Sequence, residues 1–278
     1  MENTIKINDT EIFYESRGKG IPILIIHGWR VDHHVMSGSM ENMFHGHYKR
    51  FFRIYIDLPG MGKSQVNNNV KTADDVLDIL IKFIDSIIPG RKFLLVCDSW
   101  GGLLAKGLVI HKANDILGIC FLCTISISGK KNISVPAKTV LVRDNAYINT
   151  LSKPEKDTFC GISVIQTKKN WLKFKKDVYP GLITYNEEYL KKTLNAFYSN
   201  EKNNVDIFFD KPVLSVSGKQ DHVAGYEDQM EYFMKFPRAT AAVLDAAGHC
   251  LQIEQEKMFH ALLADWLDRV RTDMNNRS

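Results

Sequence analysis

Six short apolar runs recur along this chain: PILIIHG (22–28), RIYIDLPG (53–60), KFLLVCD (92–98), GICFLCTIS (118–126), PVLSVSG (212–218) and TAAVLDAAG (240–248). Each centres on four to eight residues of near-continuous hydrophobicity closed by turn-forming residues, the pattern of strands buried on both faces. Helical patterns lie between most of them. From Ala73 to Ile88, apolar residues at 76, 77, 80, 81, 84, 87 and 88 make a helix face, and the pattern stops at Pro89-Gly90. Ser99 to Lys112 and Glu254 to Val270 read as further helices, and TIKIND and EIFYES as an amino-terminal hairpin. Strands alternating with helices predict an α/β fold, a mostly parallel central sheet flanked by helices.

The stretch 129–210 breaks that rhythm. It has no convincing buried strand, and helices are expected near 137–151, 163–178 and 186–200, with Pro154, Pro180 and Gly181 between them. From Gly129 to Lys211 there are 15 Lys+Arg and 9 Asp+Glu, a net of +6 against −2 for the rest. A segment with its own charge balance suggests an inserted module. We expect a helical lid at 129–210, following the fourth parallel strand, and a core formed by 1–128 and 211–278. At 278 residues, one domain with an insertion is the simplest organisation. The lid's aromatics and lysines are expected to pack it onto the core and to face water, respectively.

Chemistry concentrates where strands end. In KFLLVCDSWGG a buried strand runs directly into a helix, a turn that lifts Ser99 to the carboxyl edge of the sheet. Ser99 could equally be an N-cap, and Gly101-Gly102 could serve helix packing alone. Cys97 occupies the place of the first glycine in G-x-S-x-G, where a small residue suffices. Downstream, SGKQDHV puts Asp221 just beyond one strand and DAAGHC puts His249 just beyond the next. In a parallel sheet these strand ends share one edge, so a serine, an orienting carboxylate and a base would converge there. IIHGW brings a fourth strand end: the Trp29 and Trp100 amides are candidate oxyanion donors, Gly28 allows close backbone approach, and His27 is expected to be structural. Gly28, Trp29, Met36, Trp100 and Val223 are the expected substrate-binding residues.

Taken together, HGW, DLPGMGKS, VCDSWGG, GKQDHV and AGHC resemble the α/β-hydrolase-fold superfamily over nearly the whole chain, in its lid-bearing form, with no subfamily matched. The resemblance implies a serine hydrolase with Ser99, His249 and Asp221 as triad, acting on a small-molecule carboxylic ester or related acyl compound with no cofactor and no metal. Thioesters, lactones, amides and a carbon–carbon bond beside a carbonyl stay open, as does a binding or receptor role on the same fold. An aspartate nucleophile would imply haloalkane or epoxide chemistry, but the elbow residue is Ser99.

Other classes fit less well. The GKS in DLPGMGKS ends like a phosphate-binding loop, yet Asp57 stands where that loop needs its first glycine, and a carboxylate there repels phosphate. The net charge of +4 is not gathered into a basic helix face, which argues against nucleic acid. The polar amino terminus and the lack of an apolar run of membrane-spanning length argue for a soluble, cytoplasmic protein without membrane contact, and the five scattered cysteines suit a reducing compartment. Cys120 and Cys123 read as buried small hydrophobes rather than a redox or zinc motif. The oligomeric state is left open.

Overall fold

The computed structural model describes residues 1–67, 69–125, 134–197 and 207–277. Ser126, the 129–133 start of the expected lid and the 198–200 end of its last expected helix lie outside the described residues. An eight-stranded sheet takes in β1 (Glu2–Ile7), β2 (Thr10–Arg17), β3 (Ile21–Ile26), β4 (Phe51–Ile56), β5 (Phe93–Asp98) and β6 (Ile116–Leu122). After the two-residue strands β7 (Val142–Arg143) and β8 (Ile165–Gln166), β9 (Val213–Gly218) and β10 (Ala239–Leu244) complete it. The order is β1-β2-β4-β3-β5-β6-β9-β10. β1, β2 and β4 pair antiparallel, and every pair from β4 to β10 is parallel. Asn8 and Asp9, both at positive φ, turn the first hairpin.

The apolar runs are continuous because the central strands bury both faces. In β3, Leu24 and Ile26 face one core and Ile23 and Ile25 the other; in β5, Phe93, Leu95 and Cys97 oppose Leu94 and Val96. The first core is covered by α2 (Ala73–Ile87), α3 (Trp100–Lys112) and α9 (Glu227–Phe233), which contribute Val76, Leu103 and Phe233 among others. The second is covered by α1 (His34–Met40), α6 (Lys168–Asp177) and α11 (Glu256–Arg277). In α11, Phe259, Leu263, Trp266 and Val270 repeat at helical spacing on the buried side. No helix among the described residues is long and apolar enough to cross a membrane.

Between β6 and β9 the structure departs from expectation in detail. The expected helix over 137–151 does not form. The chain is extended there, forms β7, and turns only through the single-turn α4 (Asn145–Ile148), while Val140, Leu141 and Val142 are exposed. α5 (Lys153–Ile162) and α7 (Tyr179–Thr184) carry Pro154 and Pro180, residues expected to lie between helices, in their first turns. Proline suits a helix's first turn, where its missing N–H has no partner to lose. The expected 163–178 helix is shorter, α6, preceded by β8, and α8 (Glu187–Phe197) follows α7. The aromatics knit this region together: Phe159, Trp171, Phe174 and Tyr179 form a chain of ring contacts 5.2–6.0 Å apart.

Candidate active site

Because β3, β5, β9 and β10 run parallel, the loops after them open on one edge. Directly after β5, Ser99 adopts φ 49°, ψ −115°, a conformation that costs a non-glycine residue energy and is held only by its surroundings. The strain brings backbone segments very close. A Cβ on Gly101 would lie 2.7 Å from the Ile26 carbonyl oxygen, one on Gly102 would lie 2.2 Å from Thr124 Cγ2, and one on Gly28 would lie 2.8 Å from Ser99 Cβ. The two helix glycines therefore do serve close packing, and that packing holds the turn. Ser99 makes no side-chain cap bond to α3.

Its Oγ lies instead 3.0 Å from His249 Nε2, and His249 Nδ1 lies 2.9 Å from Asp221 Oδ2. Asp221 is fully buried and its second oxygen accepts from the Val223 and Ala224 amides at 2.9 and 3.0 Å. Burial alone would lift its pKa, but the His249 charge and these hydrogen bonds outweigh that and hold it below the usual carboxylate range. Burial pulls His249 down, and the carboxylate of Asp221 overcomes it, with help from Asp98 and Glu254, raising the imidazole to about 9. A serine hydroxyl, an imidazole and a buried carboxylate in hydrogen-bonded series can pass a proton from the hydroxyl to the ring and keep the resulting charge balanced.

The loop carrying His249 is braced by groups that sequence reasoning missed. Glu254, on α10 (Leu251–Glu254), accepts from the Gly248 amide at 2.7 Å and from the Val164 and Ile165 amides at 2.6 and 3.0 Å. Gln220 accepts from Ala247 at 3.2 Å. A glutamate five residues beyond a histidine carries no pattern by itself; only the fold gives it amides to hold. His27 is tied to backbone, with Leu58 N–H donating to Nε2 at 3.0 Å and Nδ1 2.7 Å from the Gly28 oxygen, and burial lowers its pKa. Asp57 accepts from the His33 and Lys63 amides at 2.7 and 2.8 Å, so DLPGMGKS is a loop folded around its own carboxylate.

A chamber of about 70 Å³ opens beside Ser99, with Gly28, Trp29, Asp98 and His249 around it. Val31, Val35, Ile162, Val178 and Leu182 supply apolar walls. Of the expected substrate-binding residues, Gly28 and Trp29 are there and three others are not. Met36 is fully buried in the second core, because its position on α1 turns inward while Val35 takes the chamber side. Val223 is 40% exposed on the turn that wraps Asp221. The Trp100 side chain is buried in the first core and packs edge-on against Trp29 at 4.7 Å. Asp98, to which the sequence pattern assigned no role, lines the chamber: it is 5% exposed, and its Oδ2 lies 2.9 Å from where a Gly28 Cβ would be.

Among the described residues, two groups of side chains could offer donors to a metal, Asp32 with His33 and His34, and Cys123 with Asp221 and His249; in each, donor atoms lie within 4.8 Å of one another. Their histidines are already hydrogen-bonded, His34 to Asp32 and His249 to Asp221 within each group and His33 to Asp57 outside it. Cys120 and Cys123 are free and buried, and burial pushes both thiols up, as inert core cysteines require.

A family pattern described as alpha/beta hydrolase fold matches residues 21–256. The chain belongs to that family of α/β hydrolases. It is similar to the crystal structure of an alpha/beta superfamily hydrolase from Oenococcus oeni PSU-1, at 25% identity over 97% of this chain and 99% of that one, with a TM-score of 0.86. A thermophilic esterase from Thermogutta terrifontis, solved with malate bound, matches at 18% identity, 97% and 99% coverage and TM-score 0.75. An esterase from Exiguobacterium antarcticum matches at 15%, 96% and 100% coverage and TM-score 0.74. At these identities the two esterases speak to the fold, and the mostly parallel sheet flanked by helices is the architecture that the sequence pattern implied.

Proposed function

We propose that the protein is a serine hydrolase that cleaves small carboxylic esters or related acyl compounds through an acyl-enzyme. Ser99 Oγ attacks the carbonyl carbon as His249 Nε2 takes its proton, and Asp221 balances the imidazolium. The Trp29 and Trp100 amides hold the tetrahedral oxyanion, the second at the positive end of α3. His249 then returns the proton to the leaving alcohol, and water repeats the sequence to free the acid and Ser99. The observation that carries this reading is the unbroken series Ser99–His249–Asp221, at 3.0 and 2.9 Å, starting from a serine in strained backbone whose side chain makes no cap bond to α3.

Residues 129–210 act in this reading as a lid. In support, Ile162, Val178 and Leu182 from that segment face Ser99 and His249 across the chamber. The free, mostly buried cysteines suit a cytoplasmic setting.

Ser99→Ala tests the reading. Turnover of p-nitrophenyl acetate falls at least about a thousandfold, and covalent labelling by a fluorophosphonate disappears. Unchanged labelling and turnover in this variant would remove Ser99 from the mechanism, and a wild-type protein that is never labelled would be a binding protein on a hydrolase fold.

A further inference from the structure

Two residues that line the chamber each carry a buried side-chain oxygen with no hydrogen-bond partner among the described residues, Asp98 Oδ1 and Gln252 Oε1. Asp98 is 5% exposed and Gln252 2% exposed, and both line the same small space as Ser99 and His249. Five more wall residues, Val31, Val35, Ile162, Val178 and Leu182, are apolar and offer no side-chain donor. A buried acceptor without a donor is costly, and native proteins keep few of them. Two in one chamber of about 70 Å³ point to a donor that arrives with the ligand.

We infer that Asp98 and Gln252 determine specificity, selecting substrates whose acyl group carries a hydrogen-bond donor, a hydroxyl or an ammonium, next to the reacting carbonyl. This rests on the reading of Ser99 as the nucleophile. The position of Asp98 gives the inference its geometry. It immediately precedes Ser99, and its Oδ2 and Ser99 Cβ both flank the point above Gly28 where a side chain would sit, so whatever is bonded to Ser99 lies alongside this carboxyl. The size of the chamber assigns the donor to the acyl part. At about 30 Å³ for a water-sized group there is room for about two such groups, enough for the short chain that stays on the serine and too little for a leaving group that must depart. Asp98 is also suited to either donor. Burial raises its pKa to about 7, with the His249 charge acting in the opposite direction, so near neutrality it is present both as a carboxylate that attracts an ammonium and as a carboxylic acid that still accepts from a hydroxyl. Sites built to hydrogen-bond a substrate group reject the analogue that lacks it far more strongly than apolar pockets reject an added methylene.

The test compares p-nitrophenyl glycolate with p-nitrophenyl propionate, acyl groups of nearly the same size that differ by a hydroxyl in place of a methyl. The wild-type kcat/KM ratio favours glycolate by at least tenfold. Asp98→Leu brings the ratio to one or reverses it, and Gln252→Leu lowers it at least threefold; the second variant is informative if the first does not fold, and fluorophosphonate labelling of Ser99 reports whether each elbow has assembled. A wild-type protein that is labelled and cleaves both esters equally overturns the inference while leaving the nucleophile in place, since water would then satisfy both oxygens. Wild-type protein that is neither labelled nor active on either ester overturns both.

Discussion

His249 sits among three carboxyl groups, and their fields set when it can act. With its pKa raised to about 9, the ring is mainly an imidazolium at neutral pH and donates to Ser99 Oγ; it becomes a base only as that proton leaves. Ester turnover is therefore expected to climb from pH 7 through a midpoint near pH 9 and to level off above about pH 10, measured as kcat/KM for p-nitrophenyl acetate after subtracting the uncatalysed rate. Asp98→Asn removes a negative neighbour and moves the midpoint to lower pH; a profile already flat at pH 6 would contradict the assignment. The same variant has a stability signature of opposite origin. Asp98 keeps its proton to about pH 7 in the folded protein but releases it near 3.8 when unfolded, so its burial costs stability increasingly from about pH 4 to pH 7 and fully above. Asp98→Asn is thus expected to be more stable than wild type at pH 8 by a few kcal/mol, since each tenfold difference in proton affinity between the folded and unfolded chain is worth about 1.4 kcal/mol. In denaturant titrations the gain shrinks towards pH 4.

Between elements, the His249 loop is braced by the Glu254 side chain in addition to backbone bonds such as Gln220 N–H to the Ala247 oxygen at 2.9 Å. One oxygen takes the Gly248 amide and the other the Val164 and Ile165 amides, tying β8 to the loop after β10. Glu254→Gln presents an NH2 to one of those sets of amides and leaves at least one donor unsatisfied. An expected loss of about 1–3 kcal/mol of stability and a fall of tenfold or more in kcat, with KM little changed, would be read by thermal unfolding and steady-state kinetics. This brace is illegible in the sequence for a physical reason: it joins residues 90 positions apart through backbone amides, which leave no side-chain pattern. Strand ends are legible because a strand buried on both faces is largely apolar: Ser99 and Asp221 follow such strands, and His249 follows β10, a half-buried edge strand whose Ala, Val and Leu give a similar run. Met36 and Val223 fall outside the chamber because nearness along the chain does not fix which way a side chain turns. Between β6 and β9, Pro154 and Pro180 have the look of separators, yet each lies in the first turn of a helix. There Ser152 donates its N–H and Oγ–H to Glu155 at 3.1 and 2.7 Å, an S-x-x-E start that the sequence carries openly.

Across the whole molecule, the sheet edge supplies the reactive groups and the segment between β6 and β9 supplies the wall that faces them. The two meet at very short range. A Cβ on Gly181 of α7 would lie 2.6 Å from Asp32 N and 2.7 Å from Val31 Cα, and one on Gly38 of α1 would touch the Asp177 carboxyl at the end of α6. Val31, Val178 and Leu182, which lie beside these contacts in the chain, all line the chamber, so the fit of α7 against the loop after β3 sets the space available to an acyl group. Enlarging Gly181 should act on that fit alone, because α7 carries none of Ser99, Asp221 or His249. Gly181→Val is expected to move α7 outward at a cost of about 1–3 kcal/mol. With the wall displaced, short acyl chains lose contact and longer ones gain room, so kcat/KM for p-nitrophenyl acetate falls while that for the hexanoate rises relative to it. Fluorophosphonate labelling of Ser99 should persist, since the elbow is built on β5 and α3. If the chain-length preference did not change in a variant that had lost stability, the wall would not govern substrate size and the lid reading of 129–210 would lose its main support.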